Sequence, residues 1–164
     1  MVEITELMIN EIQINRYRDY TKPGYRYNAH IYIDGRSLIE MVREVELPYA
    51  LAEGSTDIAG SYAWLDIDTL NSNILNLPRN YNVEEEKATL LGCPCGEDLC
   101  WPFSVRIKNE GDKIVWTDFE QSHRNKESDN YWSYDGLEPF IFDLEQYVGQ
   151  LPLYYKRYYP FRPF

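Results

Sequence analysis

A chain of 164 residues is long enough for one domain with a real core, and no run of about 18 apolar residues marks a membrane span. Twenty-seven acidic against 16 basic residues leave a formal net charge of −11, which disfavours general nucleic-acid binding and favours a basic protein partner. The start, MVEITELMIN, lacks the pattern of a signal peptide, and three cysteines are an odd number for a secreted disulfide framework, so the expected compartment is the cytoplasm.

Residues 4–14 read as a strand, and residues 16–24 as a polar connection ending in the Pro23-Gly24 turn signal. Residues 25–33 alternate Tyr25, Tyr27, Ala29, Ile31 and Ile33 on one face, which predicts a second strand antiparallel to the first. His30 lies on the polar phase and reads as a surface or hydrogen-bonded histidine. Ser37 with Glu40 three residues on forms a capping box, and Leu38, Met41, Val42 and Val45 make one apolar stripe. That predicts a helix over 38–46, stopped by Pro48. Residues 49–60 read mostly as loop and 62–65 as a short strand. Residues 68–77 are ambiguous, with Leu70, Ile74 and Leu77 at helical spacing before Pro78. The acidic run Glu84-Glu85-Glu86 reads as a solvated lead-in to the next strand.

A three-strand meander follows. Phe103, Val105 and Ile107 alternate with Ser104, Arg106 and Lys108. A Glu110-Gly111 loop sets Ile107 opposite Ile114 and Val105 opposite Trp116. The preceding strand, 88–93, places Ala88 opposite Val105, Leu90 opposite Phe103 and Cys93 opposite Cys100. Pro102 belongs at a bulge or an edge. Residues 131–134 read as a strand, Asp135-Gly136 as a turn and 140–142 as a short strand. Asp143 caps a helix over 144–151, with Gln146 at the capping-box position and Leu144, Tyr147, Val148 and Leu151 as its stripe. The tail, 153–164, carries Lys156, Arg157 and Arg162 among aromatics. It is expected to pack on its own domain. The expected architecture is a single α+β domain, 1–164, with an antiparallel or mixed sheet holding the cysteine meander and two short helices packed on it.

The chemistry-bearing residues gather in this meander. Cys93, Cys95, Cys100 and His123 offer three thiolates and an imidazole, a set that suits zinc. Cys93-Pro94-Cys95-Gly96 is one residue shorter than a zinc-ribbon knuckle. A cross-strand disulfide between Cys93 and Cys100 is an alternative, as is Cys/His nucleophilic catalysis, for which only the residue types are present. A tight hairpin shaped by three small thiols, without a cofactor, is the expected outcome. His123 and Arg124 should lie at the same end of the sheet as the cysteines. Trp101, Trp116, Gln121 and Arg124 form a candidate surface site. No catalytic residue is assigned.

Three motifs carry a resemblance. They are Cys93-Pro94-Cys95-Gly96-Glu97-Asp98-Leu99-Cys100-Trp101-Pro102, then W-x-x-F-x-Q-x-H-R from Trp116 to Arg124, then P-F-x-F-D from Pro139 to Asp143 with Tyr147 following. Over residues 90–151 the chain resembles a group of uncharacterised bacterial proteins. The resemblance implies a bacterial source and a grouped Cys/Trp/His/Arg region, and it brings no activity, catalytic role or ligand role with it. Charge, size and 15 tyrosines point to a non-enzymatic protein-binding module of immunity-protein type, acting through an acidic, tyrosine-rich surface on a basic partner. The alternative is a small metal- or thiol-dependent protein centred on the Cys/His cluster.

Overall fold

Backbone pairing sorts the strands into two antiparallel sheets in the computed structural model, which describes residues 8–24, 26–75, 87–97 and 99–151. The first sheet orders β1 (Ile12–Arg18), β2 (Tyr27–Ile33) and β3 (Arg36–Ser37). The second orders β4 (Ala63–Trp64), β5 (Ala88–Gly92), β6 (Phe103–Glu110), β7 (Lys113–Gln121) and β8 (Phe140–Asp143). With α1 (Leu38–Ala52), α2 (Ile67–Leu75) and α3 (Leu144–Gly149), this is the expected α+β fold. α1 packs on β2 and β3, α2 on β2 and β5, and α3 on β7 and β8. Among the described residues no helix is long and apolar enough to cross a membrane.

Two isolated bridges tie the sheets together, Asn10 to Phe142 and Asn28 to Asp66. The Asn10 N–H donates to the Ile141 carbonyl at 2.7 Å, and the Ile141 N–H donates back to Asn10 Oδ1 at 2.9 Å. The apolar phases of the strands and helices meet in one core. Ile12, Ile31 and Ile33 come from the first sheet, Val105, Ile114 and Trp116 from the second, Leu38 and Val42 from α1, and Leu70 and Ile74 from α2. The helical spacing in 68–77 is thus a helix as far as it is described.

Several expectations change in register or length. The first strand runs on through Arg18, because residues 12–18 find partners one for one in 33–27; the ladder recruits a polar segment that apolar alternation does not mark. Residues 1–7, Tyr25, the acidic run 84–86 and the tail 153–164 lie outside the described residues. Ser37 precedes α1 without a side-chain cap, and Pro48 lies inside the helix rather than ending it. The lost hydrogen bond is tolerated because Ala50, beyond it, is fully buried in the core. The stop comes at Gly54, whose φ of +73° and N–H bond to Leu51 O at 3.0 Å end the turn. Residues 131–134 are not a strand. Trp132 and Tyr134 alternate inward with no ladder partner, which imitates a strand in sequence.

In the central hairpin the loop is Gly111-Asp112 and Asn109 faces Ile114, a shift of two residues from the expected register. Because side chains alternate with period 2, the shift leaves every face unchanged: Val105, Ile107, Ile114 and Trp116 are all buried. A bulge near Asp118, at φ +54°, adds one more residue, so Phe103 faces Gln121. On the other side Ala88 faces Val105 as expected, but a second irregularity sets Leu91, not Leu90, opposite Phe103. Both leucines are buried.

α3 begins as the sequence indicates, with Asp143 Oδ2 accepting the Gln146 N–H at 3.1 Å. The Gln146 side chain, however, leaves its own helix and acts as a neighbour to β1. Its Nε2 donates to Ile12 O at 2.5 Å, and its Oε1 accepts the Ile12 N–H at 3.1 Å. One turn on, Gln150 Oε1 accepts the Ile14 N–H at 3.1 Å. Helical i, i+4 spacing thus matches strand i, i+2 spacing, and the two amides cover the open edge of β1. Gln146→Ala combined with Gln150→Ala should cost about 1–3 kcal/mol by leaving backbone groups unpaired. Urea unfolding checks this, and an unchanged midpoint would show the amides to be dispensable.

Candidate functional site

β5 ends at Gly92 and the chain reverses through the cysteine turn into β6. The turn is held by the Gly96 N–H on Cys93 O at 3.1 Å and the Cys100 N–H on Glu97 O at 3.1 Å, with Gly96 at φ +96°. Only a residue without Cβ adopts that angle cheaply. The Cys95 N–H points at Cys93 Sγ, 3.5 Å away. The result is a convergence of the three sulfurs of Cys93, Cys95 and Cys100, all within 4.8 Å of one another. Cys93 is half-buried, Cys95 and Cys100 are exposed, and all three are free thiols.

The thiols of Cys95 and Cys100 are shifted by their neighbours. The Cys93 thiol hydrogen-bonds to Cys95 and, with the Glu97 backbone, holds the Cys95 thiol below the usual thiol value. Cys100 is pushed up to about 11 by Cys93 and Cys95 beside it. A thiolate at one position raises the cost of the next, and a cation among them removes that cost.

His123 lies outside the sulfur group. It sits in the short 3-10 turn Ser122–Arg124, where Gln121 Oε1 accepts its N–H at 2.9 Å. Its ring stacks on Trp101, with centroids 5.7 Å apart and planes 7° from parallel. Since Trp101 follows Cys100 directly, His123 and Arg124 are at the cysteine end, as expected, but the imidazole faces an indole rather than the thiols. The Arg124 guanidinium lies 5.1 Å from the Trp101 ring and 5.3 Å from the Trp132 ring. Its Nε pairs with Glu53 at 3.1 Å. Glu53 also accepts the Trp132 Nε1–H at 2.9 Å and a bond from Asn130. The cysteine turn is therefore clamped through Trp101 and Arg124 onto the C-terminal end of α1.

Two members of the expected surface site are not at the surface. Trp116 and Gln121 are both fully buried. The Trp116 indole donates to the Tyr147 hydroxyl at 3.2 Å, and Gln121 Nε2 donates to the Tyr62 hydroxyl at 3.3 Å. Both occupy the inward phase of β7, so Trp101 and Arg124 alone of that set remain beside the cysteine turn.

The sequence reading passed over a buried acid. Glu46 on α1 is fully buried. Its Oε1 accepts from the Tyr62 hydroxyl at 2.5 Å and the Tyr134 hydroxyl at 3.1 Å, and its Oε2 accepts the Gly60 N–H at 3.1 Å. Burial pushes its carboxyl up to about 7 and drives both tyrosines upward as well. The signal was present, since Leu38, Val42 and Glu46 fall at i, i+4 and i+8 on one stripe. His30, too, is less polar in setting than expected. It lies between Tyr17 and Trp64, at ring distances of 4.4 and 4.9 Å, and burial lowers its pKa.

A shallow cleft of about 680 Å3 opens beside β6, β7 and the 125–139 segment, lined by Arg106, Asp118, Lys87 and Glu120 among others. These four form two ion pairs, at 3.1 and 2.5 Å, so their charges are matched to each other. In comparisons with known proteins, no family model, curated protein or solved structure matches the chain.

Proposed function

We propose that this chain is a small non-enzymatic binding protein whose Cys93/Cys95/Cys100 turn holds a thiophilic divalent cation, zinc being the best chemical fit. The observation that carries this reading is the convergence of three free sulfurs within 4.8 Å. Zinc is four-coordinate in structural sites and binds thiolates, so the triad supplies three of its positions. The cation would offset the mutual repulsion of the thiolates and lock the turn, and through Trp101 it would set the Arg124 clamp on α1. A reducing cytoplasm keeps such thiols available to a metal. This departs from the metal-free hairpin to which spacing alone points, because the knuckle spacing matters less than where the sulfurs end up.

Protein purified without chelator should carry one zinc per chain by elemental analysis. Cys93→Ser, Cys95→Ser and Cys100→Ser should each lose the metal and lower the melting temperature, since thiolate binding is coupled to folding. His123→Ala should keep the metal, because its ring belongs to the Trp101 stack. Chelation should change tryptophan fluorescence. A chain that takes up no zinc, with three freely titrating thiols, would refute the assignment.

The charge of −11 supports a second role for the acidic body, steering a basic protein partner in the manner of an immunity protein. The motif resemblance to uncharacterised bacterial proteins fits either role. Its first motif spans all three ligand cysteines.

A further inference from the structure

Charge is distributed unevenly along this chain. Residues 16–27 carry Arg16, Arg18, Lys22 and Arg26 with the single acid Asp19, a local charge of +3 that leaves −14 on the remainder. The four cations are exposed. So are three tyrosines of the same segment: Tyr17 is 50% accessible, Tyr20 82% and Tyr27 38%. Asp19 is occupied locally, accepting from the Thr21 N–H at 3.0 Å and the Thr21 hydroxyl at 2.5 Å and pairing with Lys22 at 3.6 Å. The Arg18 guanidinium rests 4.9 Å from the Tyr20 ring.

The fold turns this segment into an arm. β1 and β2 pair out to Arg18 and Tyr27, and the Asp19 N–H continues the ladder to Arg26 O at 2.8 Å. The Asn28–Asp66 bridge ties the ribbon to the link between β4 and α2. Two residue pairs beyond it, Arg18–Tyr27 and Asp19–Arg26, carry the arm roughly 7 Å further at ~3.3 Å each before the turn begins. That is close to the Debye length of ~8 Å at physiological salt, so salt weakens the pull of the acidic body at the tip. Behind the arm, Tyr17, His30 and Trp64 form a row of ring contacts across β1, β2 and β4: His30 stacks on Trp64 at 4.9 Å, and Tyr17 lies tilted by 48° against His30 at 4.4 Å. Tyr17, on the edge strand, is its open end.

We propose that this arm binds single-stranded nucleic acid, with the four cations taking backbone phosphates and bases stacking on Tyr17 and Tyr20. Strand alternation puts Arg16 and Arg18 on one side of β1 and Tyr17 on the other, so a flexible strand that wraps the edge meets phosphate donors and a stacking face together. The net charge of −11 opposes nucleic acid as a whole. That opposition acts most on a rigid duplex, which would run along the acidic body, and less on a flexible single strand that can stay on the arm. An acidic peptide would use the cations but leave the ring row unused, and the row decides between the two.

The test is fluorescence anisotropy of the full chain with a short, labelled single-stranded oligonucleotide. Saturable binding is expected at about 50 mM salt, weakening toward about 200 mM with a log–log slope of about −2 to −3, as three or four phosphate contacts require. Tyr17→Ala with Tyr20→Ala should weaken binding by about tenfold or more. Arg16→Gln with Arg26→Gln should weaken it and flatten the salt slope. Since Tyr17 touches His30, Tyr20→Ala alone serves as the variant that leaves the packing intact, and an unchanged melting temperature verifies each protein. Absence of saturable binding at about 50 mM salt would overturn the proposal. So would a duplex binding as tightly as the single strand, or a polyglutamate peptide displacing the oligonucleotide while the tyrosine variants lose nothing, which would mark the arm as a docking point for an acidic protein.

Discussion

Val105→Asp unfolds or aggregates the protein, whereas Lys108→Asp leaves its melting temperature nearly unchanged. The two positions are three residues apart on β6 and on opposite faces. Val105 is fully buried, pairs with Ala88 across the sheet and belongs to the core. Lys108 is exposed. An unpaired carboxylate in that core costs several kcal/mol, a large part of a domain stability of about 5–15 kcal/mol. Thermal unfolding of both variants decides it. Equal melting temperatures would mean that the inward face of the hairpin has been misassigned.

The second large effect is a dependence of stability on pH that one carboxyl controls. Glu46 has its folded pKa raised from the ordinary 4.5 to about 7 by burial. Between those values the folded chain holds a proton there that the unfolded chain has released. Stability therefore falls as pH rises through this window, and levels off above about pH 7. A shift of this size corresponds to about 3 kcal/mol. Glu46→Gln should remove that slope. The Gln carbonyl still accepts from Tyr62 and Tyr134, while its NH2 faces the Gly60 N–H, so the level of the curve drops even as the slope disappears. Urea unfolding at several pH values from about 5 to 8 reads the slope directly. An unchanged slope in the variant would place the titration elsewhere.

Much of this fold can be read from local pattern, and the departures share a cause. Strand alternation in 103–108 and 113–116 survives a two-residue error of register because the faces repeat every second residue. The Asp143 cap forms as written in the sequence because its partner lies three residues away. Pro48, Glu46 and 131–134 mislead for the opposite reason. Each obeys a local rule that a distant contact overrides: core burial of Ala50, the Tyr62–Tyr134 pair around Glu46, and inward packing of Trp132 without a strand partner. The candidate site divides the same way. Cys93, Cys95 and Cys100 meet because one turn joins them. The place of His123 depends on a bulge at Asp118 and on the Trp101 indole at the end of the cysteine turn, which no spacing of cysteines and histidines encodes.

The glutamine clasp on β1 also fixes an order of events. The bonds between Gln146 and Ile12 close a loop of 134 residues, and the one between Gln150 and Ile14 closes one of 136. During synthesis the first strand leaves the ribosome long before the helix that shields it. For most of that interval its N–H and C=O groups are open to pairing with any other extended chain. Contacts of such separation also slow folding, since the loop must be closed before they reward it. The nascent chain is thus committed late, and its first described strand is completed by its last described helix.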